Sequence, residues 1–147
     1  MTVLDKGRPK ERRAAARPQM TSVDFQIEPL ERHGTQLACA ITGSAVNGGV
    51  IELSDGSSHT MTFQLVPGNV SGLSFVPEAS YPFCSVVDGC PKKGNQIPQF
   101  TNAVVSADGQ TLTVTADAGT DPIVHYSLRF TDGGTTALTW DPIIINH

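Results

Sequence analysis

The chain lacks long hydrophobic runs. No stretch approaches the roughly 18 consecutive apolar residues that mark a membrane-spanning helix. The first 20 residues also lack a secretory core. Ala14-Ala15-Ala16 stands amid charges, and Arg12-Arg13 has no apolar run behind it to make a twin-arginine signal. A cytoplasmic location is the expectation. Cysteine is scarce. Three thiols, an odd number without an export signal, argue for reduced cysteines over a disulfide framework. No segment of roughly 10–12 residues carries a 3.6-residue apolar period, which sets helical folds aside. No glycine-rich loop follows a strand and opens a helix, so nucleotide binding has no support. There is no Gly-x-Ser-x-Gly elbow for a serine hydrolase and no RNA-binding aromatic motif. No cofactor is implied.

What is present is a two-part charge distribution. The net charge is −4 over 147 residues, a length suited to one domain with a real core. Residues 1–17 carry six basic and two acidic groups, a net of +4, whereas the rest carry four basic and twelve acidic groups, a net of −8. Residues 1–20 have almost no apolar periodicity and are expected to be a disordered basic arm. Such an arm is the one part suited to nucleic acid or an anionic surface; the acidic body is not. Met20 stands immediately before the first clear strand pattern and is itself a candidate start. The domain is expected over residues 21–147.

That domain reads as strands. Ile123–Phe130 alternates, with Val124, Tyr126, Leu128 and Phe130 on one face and His125, Ser127 and Arg129 on the other. Asp132-Gly133-Gly134 is a turn, and Thr135–Trp140 returns as a second strand. Similar patterns occupy Thr21–Ile27, Gln36–Thr42, Val50–Leu53, His59–Val66, Gly72–Val76, Phe100–Val105 and Thr111–Thr115, with turn signals between them. Asp141-Pro142 breaks the chain before Ile143-Ile144-Ile145, which is apolar on both faces and suits a strand tucked inside the fold. The prediction is an all-β, antiparallel sandwich of eight or nine strands. Trp140, the sole tryptophan, is expected as a core anchor, and Cys39 shares an inward face with Leu37 and Ile41.

The candidate site is the irregular segment from Pro77 to Pro98. A loop of about 20 residues in a small domain is often functional. It holds Cys84, Cys90, Lys92 and Lys93. Cys84 and Cys90 bracket a short ring that a local disulfide could close, although two free thiols is the expected state; the lysines would activate Cys90 as a thiolate. The spacing matches neither the two-residue redox motif nor a structural zinc site. Ser127 and His125 are neighbours at i and i+2 on a strand, about 6.5–7 Å apart, too far for a nucleophile–base pair. The turn aspartates Asp55, Asp88, Asp108, Asp121, Asp132 and Asp141 could gather around calcium, but Asp-Gly and Asp-Pro are ordinary turn chemistry.

Three segments together resemble a known family: Ile27-Glu28-Pro29, Ala107-Asp108-Gly109-Gln110-Thr111-Leu112-Thr113-Val114, and Trp140-Asp141-Pro142-Ile143-Ile144-Ile145-Asn146. They are similar to the small bacterial proteins of the DP-EP family, over roughly Ser22 to Asn146. The resemblance implies an immunoglobulin-like sandwich and brings no established activity or catalytic residue. The expected function is a non-catalytic domain that binds a protein partner or assembles with copies of itself. The alternatives are a thiol protein acting through Cys84 and Cys90, or a loop-end calcium module.

Overall fold

The computed structural model describes residues 20–53 and 57–147. The expected basic arm, apart from Met20, and the Asp55-Gly56 turn lie outside them. In chain order the strands are β1 (Met20–His33), β2 (Gln36–Thr42), β3 (Val46–Asn47), β4 (Val50–Leu53), β5 (Ser58–Leu65), β6 (Ser74–Phe75), β7 (Phe83–Val86), β8 (Phe100–Val105), β9 (Thr111–Ala116), β10 (Ile123–Thr131), β11 (Leu138–Trp140) and β12 (Ile143–Asn146). One 3-10 turn, η1 (Glu78–Ser80), lies between β6 and β7. The fold is all-β. No described helix is long and apolar enough to cross a membrane.

β10 is the organising strand. Along one edge it pairs with β11 at Leu128–Phe130 and then with β12 at Ile123–His125. Along the other it pairs with β6 at Phe130–Thr131 and then with β7 at His125–Leu128. Asp141-Pro142 separates β11 from β12, as the missing proline N–H requires. The sheet path runs β3-β4-β12-β10-β11-β2-β1-β5-β9-β8. Among the described residues, only the Thr139–Gln36 pair joins its two halves. Those halves face each other. Phe63 of β5 stands 6.3 Å from Phe83 of β7 and 6.2 Å from Tyr126 of β10, although β5 and β10 are separated along the path by β11, β2 and β1, and β7 pairs with β10 off that path. The ring chain continues through Phe25 at 5.1 Å from Phe63 and Phe100 at 5.0 Å from Phe83. This aromatic seam between the layers is the centre of the core.

Several expectations need correction. Twelve strands occur among the described residues, rather than eight or nine. The extra ones are short or break the alternation rule: Phe83, Cys84 and Ser85 of β7 are all buried, so the strand shows no period of two. The sheet is mixed and not purely antiparallel. β1 runs parallel to β5 over Met20–Ile27, β12 parallel to β4, and β11 parallel to β2. Apolar periodicity reports which face is buried and carries no information about a neighbour's direction. The β10–β11 connection is longer than a tight Asp-Gly-Gly turn, covering residues 132–137. Trp140 is half-buried, packing edge-on against Tyr126 at 6.4 Å. Cys39 is half-buried at the rim of the core. His59, which opens β5, is buried, because it continues the inward face of Met61, Phe63 and Leu65.

Both dipeptides of the family resemblance interrupt strands. Glu28-Pro29 sits at a register shift in the β1–β2 ladder. The Pro29 carbonyl there accepts from the Asn69 and Val70 amides at 2.9 and 3.4 Å. Gly68 is required at this contact, since a Cβ would collide with the Pro29 carbonyl.

Candidate functional site

The segment from Pro77 to Pro98 is more ordered than its sequence implies. η1 ends at Tyr81, whose φ of 62° is left-handed, an uncommon conformation for a residue with a side chain. Its amide returns to the Glu78 carbonyl at 3.1 Å. β7 follows, and the next loop is tied back onto it. The Ser85 amide donates to the Asn95 carbonyl at 3.0 Å, and the Ile97 amide donates to the buried Ser85 hydroxyl at 3.1 Å. Ser85 Oγ in turn donates to Gln96. Asn95 closes the lysine turn, accepting at its side chain from the Lys92 amide at 2.7 Å.

These ties separate the predicted site residues. Cys84 is buried in β7, opposite Ser127 of β10, and its thiol reaches the Tyr81 carbonyl at 3.7 Å. Burial raises its pKa above the ordinary thiol value, and this outweighs the opposing amide of Gly94 and charge of Arg129. A buried thiol held protonated is a poor nucleophile. Cys90 is exposed, and all three cysteines are free. Cys39 is pushed up to about 12 by burial. Lys92 and Lys93 are both exposed. Ser127 of the expected polar stripe is buried. Among the described residues no three His, Cys, Asp or Glu side chains come together to hold a metal, so the turn aspartates described here do not gather.

What the fold does assemble is a cationic cleft. A cavity of about 190 Å³ opens between η1, the lysine loop and the β10–β11 connection. It is lined by Arg129 and Thr131 of β10, Ser80 of η1, Lys93, and Thr135 and Thr136. Arg129 is braced through one nitrogen: Nη1 donates to the Ser80 carbonyl and reaches the Tyr81 carbonyl at 3.5 Å. The left-handed Tyr81 follows Ser80 in the turn that presents both carbonyls to Arg129. No protein acceptor among the described residues takes Nε or Nη2. No carboxylate of the described residues lies within ion-pair distance of Arg129 or Lys93. The neighbouring Asp132 is already engaged, accepting from Arg32 at 2.8 Å, and this guanidinium holds its pKa below the ordinary value.

A second hollow of about 250 Å³ lies beside Pro29, lined by Leu65, Val66, Pro67, Val70 and Leu73. Its one amide side chain, Gln110, donates to the Leu73 carbonyl at 3.0 Å. It offers an apolar wall and few directed donors. The arginine–lysine cleft is therefore the richer site chemically. Sequence patterning placed Lys93 in the candidate loop and Arg129 in a polar stripe. It had no means of joining them, since they lie 36 positions apart. No protein-family model and no curated protein matches the chain.

Proposed function

We propose that the chain is a non-catalytic, immunoglobulin-like β-sandwich that binds a partner protein through the arginine–lysine cleft and not by strand pairing. The observation that carries this reading is the state of the sheet edges. β8 is bulged at Asn102, which adopts a φ of 55°, and its Val105 amide is taken by the Glu78 carboxylate at 2.7 Å. On β7 the Ser85 amide is taken by Asn95, and on β6 the Phe75 amide donates to the Gly109 carbonyl at 2.8 Å. β3 is two residues long. Bulges, capping groups and short edges are the devices that block edge-to-edge assembly. The cleft, by contrast, keeps unspent donors. Membership of the DP-EP family belongs to the same proposal and rests on the two dipeptides, each at a strand interruption.

The test is light scattering on the purified chain across a wide concentration range. A monomer is expected. A stable dimer that dissociates when Val104, the exposed apolar residue of β8, is replaced by lysine would overturn the reading in favour of edge assembly.

A further inference from the structure

We infer that the arginine–lysine cleft is a binding site for a phosphate-class oxyanion, carried either as a free phosphate or as the phosphoryl group of a larger ligand. The inference rests on the binding reading above and names the chemistry of that site. Arg129 supplies a planar guanidinium whose Nη1 is spent on backbone carbonyls, leaving Nε and Nη2 as a fork for two oxygens. Lys93 adds a second positive charge from another segment of chain. Ser80, Thr135 and Thr136 line the same cavity, and their hydroxyls make no hydrogen bond with the described residues. Two cationic residues and several hydroxyl residues, drawn from separate chain segments, suit a tetrahedral dianion. A carboxylate presents its acceptors in one plane and would use only part of the set. Size agrees: about 190 Å³ admits a phosphate with room for a substituent. Charge balance points the same way, because the domain beyond residue 17 is acidic while this cleft holds cations without acidic partners among the described residues.

Structural support accounts for only one nitrogen of the cleft. Arg129 braces η1 through Nη1 alone, and that contact needs neither Lys93 nor the threonines. Lys93 is exposed and makes no ion pair with the described residues.

The experiment is an amide chemical-shift titration of the isotope-labelled full chain with inorganic phosphate, phenyl phosphate and acetate. Ionic strength is held constant with sodium chloride, because surface charge effects are screened by any salt. Saturable shifts confined to Ser80, Lys93, Arg129 and residues 131–137 are expected with phosphate, and weaker ones with acetate. Phenyl phosphate binding more tightly than phosphate points to a phosphorylated ligand; the reverse points to the free ion. Lys93→Ala is expected to weaken phosphate binding by about tenfold, the loss of one charge-assisted contact. Its spectrum elsewhere should stay that of the folded chain. Arg129→Lys keeps the charge but loses the fork, and should weaken binding further. Shifts scattered over the surface, shifts no larger than sodium chloride gives, or acetate binding as tightly as phosphate would each overturn the assignment. The part of the functional reading that sets edge assembly aside is decided separately by light scattering, so the two failures are distinguishable.

Discussion

Replacing Tyr126 with phenylalanine should stabilise the protein. The Tyr126 hydroxyl is fully buried and has no hydrogen-bond partner among the described residues. Burial raises its pKa well above the ordinary phenol value, the same penalty read in another form. An uncompensated buried hydroxyl costs about 1–3 kcal/mol. Phenylalanine keeps the ring where it stacks on Phe83 at 5.6 Å and meets Trp140 at 6.4 Å. The void left by one oxygen is small, and at about 24 cal/mol per Å³ it costs a few tenths of a kcal/mol. The net gain is about 1–2 kcal/mol, or about 3–8 °C in Tm for a domain of this size. Urea unfolding followed by the fluorescence of the single tryptophan, which packs directly on Tyr126, reads the change. The denaturant slope should not move, because the surface exposed on unfolding is unchanged. Loss of about 1 kcal/mol or more on Tyr126→Phe would refute the reasoning and show that the hydroxyl has a buried partner, such as an ordered water.

Four further outcomes follow from the same geometry. Glu78→Ala uncovers the Val105 amide on the β8 edge, so self-association should rise, read as a concentration-dependent mass by light scattering; an unchanged monomer would show that the Asn102 bulge alone guards that edge. The carboxyls of Glu78, Asp108 and Asp132 all have lowered pKa values, through the Val105 amide, the Ser106 hydroxyl and Arg32 respectively. Their contribution is present above the ordinary carboxylate range and is lost as pH falls through the lowered values, so Tm should hold from about pH 7 to about 5 and decline below about 4. A disulfide-exchange reagent should modify Cys90 quickly and Cys84 only as the chain unfolds; fast reaction at both would contradict the buried position of Cys84 and revive the thiol reading. Gly68→Ala should cost about 1–3 kcal/mol in urea unfolding, since the loop must leave the Pro29 carbonyl; a neutral result would mean that the loop shifts freely.

Sequence alone determined the all-β class and most of the core. Phe25, Phe63, Leu112, Val114, Val124, Leu128 and Phe130 all lie inward, as strict alternation requires, because successive side chains of a strand must face opposite sides. It also marked the Pro77–Pro98 segment, since proline and glycine have strong local preferences. The tertiary structure decided the rest. β1 and β5 pair in parallel although the three strands β2, β3 and β4 separate them in sequence, and no local pattern encodes a partner that distant. β7 was hidden because both of its faces are covered, by the aromatic seam on one side and packed chain on the other, which erases the period of two. The same closure moved the site. Cys84 looked like half of a reactive pair in a loop, but pairing opposite Ser127 buries it. Arg129 looked like a solvated stripe residue, but the carbonyls of Ser80 and Tyr81 fix it at the mouth of a cleft that Lys93 completes. Strand identity is set within a few residues, whereas a binding site is set by which distant segments the core brings into contact.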